Sequence, residues 1–288
     1  MLKRIFLLAS IGFAALPYCA RAEDTLSVRG WYFYDEISGG QFTSANGAQD
    51  FTLSSPPFKI PMGGLAYTHR GVFGVPDASF TLSGMYGTAS ATLQTRGANV
   101  VTFPNGTQQV IVSLQHASQD LKRTDIEAVY QRPINDLISW AVGARYERAR
   151  ITFVSTVQNI SSNPVTGAIV QPPPTTTAPF TGGYDLTSVR GGLTMSVPIG
   201  EGGQHSLYGS AFGFVGYRSD DNPAASPLFK NATLAGPDIS IGYVFRATDH
   251  VTIDARYRGI FFYEVSGGTG SNVPKVTHGL NVGLNVSF

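Results

Sequence analysis

Leu280-Asn281-Val282-Gly283-Leu284-Asn285-Val286-Ser287-Phe288 alternates without a break. Leu280, Val282, Leu284, Val286 and Phe288 are apolar, and the residues between them are small or polar. Successive side chains of a strand point to opposite faces, so this stretch makes a strand with one oily and one wet face. The same rhythm recurs upstream. Val251, Ile253, Ala255, Tyr257, Gly259, Phe261 and Tyr263 alternate with Thr252, Asp254, Arg256 and Arg258, and Glu264 continues the polar face. Ile239, Ile241, Tyr243 and Phe245 oppose Asp238, Ser240, Gly242 and Arg246.

Ten strand-like runs emerge near 24–36, 58–72, 78–94, 115–132, 137–154, 184–199, 205–218, 234–247, 251–266 and 276–288. Tight turns at 75–77, 133–136, 200–203 and 248–250 alternate with longer connections at 37–57, 95–114, 155–183, 219–233 and 267–275. Pro, Gly, Asn and Asp make those turns for known steric and hydrogen-bonding reasons. Gln171-Pro172-Pro173-Pro174 cannot ladder in a sheet and reads as a stiff extended loop. Short turns at one end and long loops at the other are the mark of a transmembrane, antiparallel, up-and-down β-barrel. The reading is all-β, about ten strands, with eight or twelve open because 95–130 can hold an extra bend.

Composition agrees. Only 14% of residues are charged, yet the chain holds 33 Gly, 13 Tyr and 18 Phe. No run after the first residues is apolar for about 18 positions, so helical spans are excluded. A basic stripe for nucleic acid is missing too. The N-terminus reads as a signal peptide: Lys3-Arg4, an apolar run from Ile5 to Leu16, then Ala20-Arg21-Ala22. Cleavage after Ala22 divides the chain into a leader, 1–22, and a barrel, 23–288. It removes Lys3, Arg4 and Arg21 and takes the net charge from +1 to −2. Cys19 leaves with the leader.

A final Phe preceded by alternating apolar residues resembles the closing strand of bacterial outer-membrane barrels. That resemblance implies Sec-dependent export, periplasmic chaperones, and a barrel-assembly machinery that reads Phe288, Val286 and Leu284. It also implies a place in the outer membrane of a Gram-negative cell, against lipid and lipopolysaccharide. Residues 235–288 carry more. Gly242-Tyr243-Val244-Phe245, the Thr248-Asp249-His250 turn, Asp254 with Tyr257-Arg258, and His278-Gly279 resemble the closing hairpins of opacity-type small outer-membrane barrels.

Facing assignments place Arg123, Asp125, Glu127, Arg145, Glu147, Arg190, Asp238, Arg246, Asp254, Arg256, Arg258 and Glu264 in the lumen. Every cation there is Arg, whose planar fork bridges two carboxylates. In a barrel of this size such pairs are expected to cross-link the walls as a polar plug. The expected function is structural or surface-interacting, with a narrow porin-like channel as the alternative and an omptin-like protease as a second. No catalytic, cofactor or metal site is expected. The D-x-H spacing of an omptin Asp–His pair is missing, His250 sits in a turn, and His116 with Asp120 reads as a solvated rim. The ligand of the outer loops is open.

Overall fold

The computed structural model describes residues 24–35, 41–43, 52–54, 58–102, 108–162, 166, 168–176, 178–200, 202–220, 231–267 and 275–288. Ten antiparallel strands close on themselves: β1 (Asp24–Asp35), β2 (Phe58–Arg70), β3 (Ser79–Thr102), β4 (Gln108–Pro133), β5 (Ile138–Ser162), β6 (Phe180–Ile199), β7 (His205–Asp220), β8 (Ala232–Arg246), β9 (Val251–Gly267) and β10 (Lys275–Ser287). Each pairs with its sequence neighbours, and β1 pairs with β10, Thr25 opposite Ser287. At that seam Asp24 and Phe288 exchange both backbone hydrogen bonds, 3.3 and 3.0 Å. No helix among the described residues is long and apolar enough to cross a membrane.

The register fixes the barrel's girth. From Gly30, one route around the wall runs Gly63, Tyr86, Thr124, Arg148, Asp185, Ser219. The other runs Val282, Ala255, Tyr243, Leu207. The routes reach β7 twelve residues apart, at Ser219 and Leu207, so the shear is twelve for ten strands. Ordinary strand spacings then give a tilt of about 40° and a backbone-to-backbone diameter of roughly 20 Å. Long side chains from opposite walls meet across that distance.

Turn chemistry holds one rim together. Asn135 Oδ1 accepts from the backbone N–H groups of Leu137 (3.0 Å) and Ile138 (2.8 Å), and Thr248 Oγ1 accepts from those of His250 and Val251. Gly200, Gly202 and Gly203 all take positive φ between β6 and β7. Prolines mark where ladders stop. The β2–β3 ladder ends at Met62–Gly87, beside Pro61, and the β8–β9 ladder is interrupted between Ala235 and Asp238, around Pro237.

Outside, the wall carries an uncharged belt. Val28, Tyr32, Leu65, Leu82, Ile126, Val142, Val189, Leu193, Val215, Ile239, Ile241, Ile253, Leu280, Val282 and Leu284 are all exposed. Such a continuous apolar surface is what a transmembrane barrel turns to lipid. Aromatics edge it. Tyr130 and Trp140 pack at 5.4 Å near the short turns, with His205, Tyr243 and Phe245 farther round that rim. Toward the other end Tyr34 stacks on His278 at 5.2 Å, and Tyr257 Oη lies 2.5 Å from its Nδ1. The first outward charges beyond the belt are Lys59, Lys122, Arg148 and Asp185.

Three strands outrun the expectation. The stretch 95–114, expected as a loop, is mostly the tall β3–β4 hairpin, paired as far as Thr102–Gln108. β5 continues to Ser162, and Ile169–Val170 and Thr175–Thr176 pair with it inside the expected loop 155–183. In these tall ends the ladder persists while the apolar alternation of the sequence fades. The leader 1–22 lies outside the described residues.

Candidate functional site: the lumen

The inner wall is layered. Near the short turns it is lined by Ser27, Thr81, Ser83, Thr194, Ser210, Ser240 and Asn281. Charged side chains cross the middle. In the far half Trp31, Phe33, Phe58, Ile60, Met62, Leu121, Ile151, Tyr184, Leu186, Phe214, Leu234, Ile260 and Phe262 form one buried cluster, shared with buried polar groups such as Asp35, Arg123, Gln119 and Arg218. Phe214 and Phe262 meet edge to face at 5.1 Å. This cluster explains the runs on β1, β2 and β7 with aromatics on both faces: one face meets lipid and the other meets the cluster.

Two groups of ion pairs fill the middle. In the first, Glu127 on β4 and Asp238 on β8 alternate with Arg190 on β6 and Arg258 on β9 in a closed square. Arg258 forks onto Asp238 with Nε–Oδ1 2.8 Å and Nη2–Oδ2 2.6 Å, and reaches Glu127 at 3.3 Å. Arg190 Nη1 lies 2.6 Å from Asp238 Oδ2, and its Nη2 contacts Glu127. β4 and β9 stand opposite one another in a ten-membered ring, so Arg258–Glu127 spans the full lumen.

The second group is a chain. Arg145 forks onto Asp125, with Nε to Oδ1 at 3.0 Å and Nη2 to Oδ2 at 2.5 Å, and touches Glu147 at 3.1 Å. Arg123 joins Glu147 to Asp35, each at 2.7 Å, with all three side chains sealed from solvent. The Arg123–Glu147 approach is an ion contact whose angle is not that of a hydrogen bond. Tyr184 Oη donates to Glu147 at 2.5 Å, and the Arg123 guanidinium lies 4.5 Å from the Phe33 ring centre.

Smaller pairs flank these groups. Arg256 binds Asp254 at 2.9 Å, and Asn285 donates to the same carboxylate. Arg218 binds Glu264 at 2.9 Å. Of the expected lumen residues, Arg246 alone is exposed at the short-turn rim and has no part in these pairs, because at β8's last position the wall no longer encloses it. Arg29, Asp35 and Arg218 are lumen charges that the sequence reading missed. Arg29 shares the alternation of Ser27 and was legible, whereas Asp35 and Arg218 sit where their strands read as running into loops.

The expected assembly residues lie at the seam, Leu284 exposed on the outer face and Val286 and Phe288 half-buried. His116 faces outward, and Asp120 accepts instead from Ser90 at 2.6 Å. His69 meets Asp24 at 2.6 Å, and Tyr67 Oη donates to that same carboxylate at 2.8 Å. No metal-binding cluster forms among the described residues. Beyond the belt, Arg148 forks onto Asp185 at 2.8 and 3.1 Å. Those bonds hold the Asp185 carboxyl below its ordinary range, against the partial burial that pushes it up.

No family model and no curated protein matches the chain. Among solved structures it is similar to the translocator domain of the autotransporter NalP from Neisseria meningitidis, at 9% identity and a TM-score of 0.36, covering 100% of this chain and 95% of that one. It is also similar to the outer membrane protease OmpT from Escherichia coli, at 12% identity and a TM-score of 0.40, covering 92% and 95%. Neisserial surface protein A follows at 12% identity and a TM-score of 0.27, covering 92% and 97%. The chain's own register and its uncharged belt define it as a closed ten-stranded transmembrane β-barrel.

Proposed function

We propose that this protein is a closed outer-membrane barrel, without a through-channel and without catalysis, whose role is structural or surface-interacting. One observation carries the reading. The Arg–carboxylate square and chain cross the lumen, and a buried apolar cluster packs around the chain, with Phe33 against Arg123 and Tyr184 bonded to Glu147. An ion path would need a continuous wet route, and cross-linked charges embedded in apolar side chains oppose one. The outward belt supports a bilayer setting, and the motifs of 235–288 support kinship with opacity-type barrels. The short turns then face the periplasm, and the tall β3–β5 wall stands outside the cell. Lipid and lipopolysaccharide surround the belt, and the assembly machinery and periplasmic chaperones deliver the chain. The partner of the outer loops is to be sought on that wall. The test is planar-bilayer conductance of the refolded protein. Silence is the expected result; a steady open state in the parent overturns the reading and promotes the porin-like alternative.

A further inference from the structure

Between the charged middle and the short-turn rim lies a chamber of about 240 Å³. Its wall includes Arg29, Arg190, Arg256 and Arg258, with Tyr208 and Asn281 among its polar residues. The carboxylates at its border are already engaged. Glu127 and Asp238 are each held by both Arg190 and Arg258, and Asp254 is held by Arg256 and Asn285. Arg29 is left over. It makes no ion pair among the described residues, and its Nε is buried without an acceptor. Two more buried groups on the same wall lack partners: Arg190 Nε, and Oδ1 of Asn281, a side chain 7% exposed. An amide can present either its oxygen or its NH₂ to a ligand, since the two ends have nearly the same shape.

A partly buried guanidinium whose Nε is sealed from water without an acceptor, and which has no direct ion pair, favours an anion beside it. We propose that this chamber binds a compact oxyanion, a carboxylate or phosphate group, that enters from the short-turn side and pairs with Arg29. The guanidinium fork suits two oxygens of one such group. Arg190 Nε and the Asn281 amide supply further donors, and Ser83, Ser210 and Ser240 line the remainder. The site does not depend on closure beyond it. A current through the parent would sink the closed-lumen reading and leave this one standing.

The experiment uses the full chain refolded in a neutral detergent at low ionic strength. Inorganic phosphate and acetate are titrated calorimetrically, with chloride as the control for screening. Saturable binding of either oxyanion is expected, weakened about tenfold or more in Arg29→Gln, in keeping with loss of a charge-assisted contact. The same anion should raise the unfolding temperature of the parent and leave that of Arg29→Gln unmoved. Where Arg29→Gln does not refold, Arg29→Lys keeps the charge, loses the fork and should still weaken binding. Heat from chloride equal to that from both oxyanions, no binding by the parent, or unchanged affinity in the variant would each overturn the proposal.

Discussion

Arg123 shows what a single side chain contributes here. It lies between Asp35 and Glu147 with no access to water, and Glu147 is shared with Arg145. A buried pair is close to neutral against a well-packed apolar replacement, but breaking one side strands the other. Arg123→Met is therefore expected to cost about 3–5 kcal/mol in denaturant unfolding of the refolded barrel. Replacing Arg123, Asp35 and Glu147 together by apolar residues should recover much of that loss. The outward pair Arg148–Asp185 differs, because half of the Arg148 side chain meets solvent. Its signature is in pH. With the Asp185 carboxyl held below its ordinary value, the pair's contribution is complete above about pH 4 and is lost as pH falls through the lower folded value. Asp185→Asn should leave neutral stability nearly unchanged and remove a small part of the acid-side decline. An acid unfolding curve identical to the parent's would show that the pair contributes nothing.

At the scale of the strand, backbones approach too closely for a side chain at certain glycines. A Cβ on Gly279 would lie 2.2 Å from the Tyr32 carbonyl oxygen and 2.6 Å from the Phe33 Cβ, so the residue opposite Phe33 has to be bare. Gly279→Val is expected to cut the refolded yield sharply, read as loss of the heat-modifiable gel form. Topology is tested by protease on intact cells. Cleavage is expected within 171–174, an exposed segment without ladder pairing, and not at the turn around Asn135. Cutting at that turn alone would invert the orientation. All ten strands were legible as strand-like runs, and so were the short turns. Alternation gave the facing of β4, β5, β6, β8, β9 and β10, while β1, β2 and β7 carry Gly and aromatics on both faces and stayed ambiguous. The tall ends of β3, β4 and β5 were not legible, since runs such as Val100-Val101-Thr102 carry no apolar–polar alternation to mark a face. The apolar cluster was obscured for the opposite reason. Trp31, Phe33, Phe58, Ile60 and Met62 put oily residues on the inner face, where a polar lining was expected. The charged groups fell between these cases: their members could be read from facing, but which Arg meets which acid depends on the shear.

For the molecule as a whole, the terminal Phe separates folding from delivery. Its backbone makes the seam hydrogen bonds, which any residue could make, so the identity of its half-buried side chain is left for another role. Phe288→Asp should refold in detergent much like the parent, yet accumulate less folded barrel in the outer membrane of cells. Equal accumulation in cells would mean that the last strand carries no address. The seam also sets a timetable. Thr25 waits for Ser287, so β1 has no second neighbour until β10 has been made. A nascent chain therefore cannot finish its wall from the front, and on the proposed route to the outer membrane it travels with both outer strands open to any passing backbone. Messages that break off early would yield no smaller barrel, only two sticky edges, and quality control has to find those edges because the fold cannot hide them.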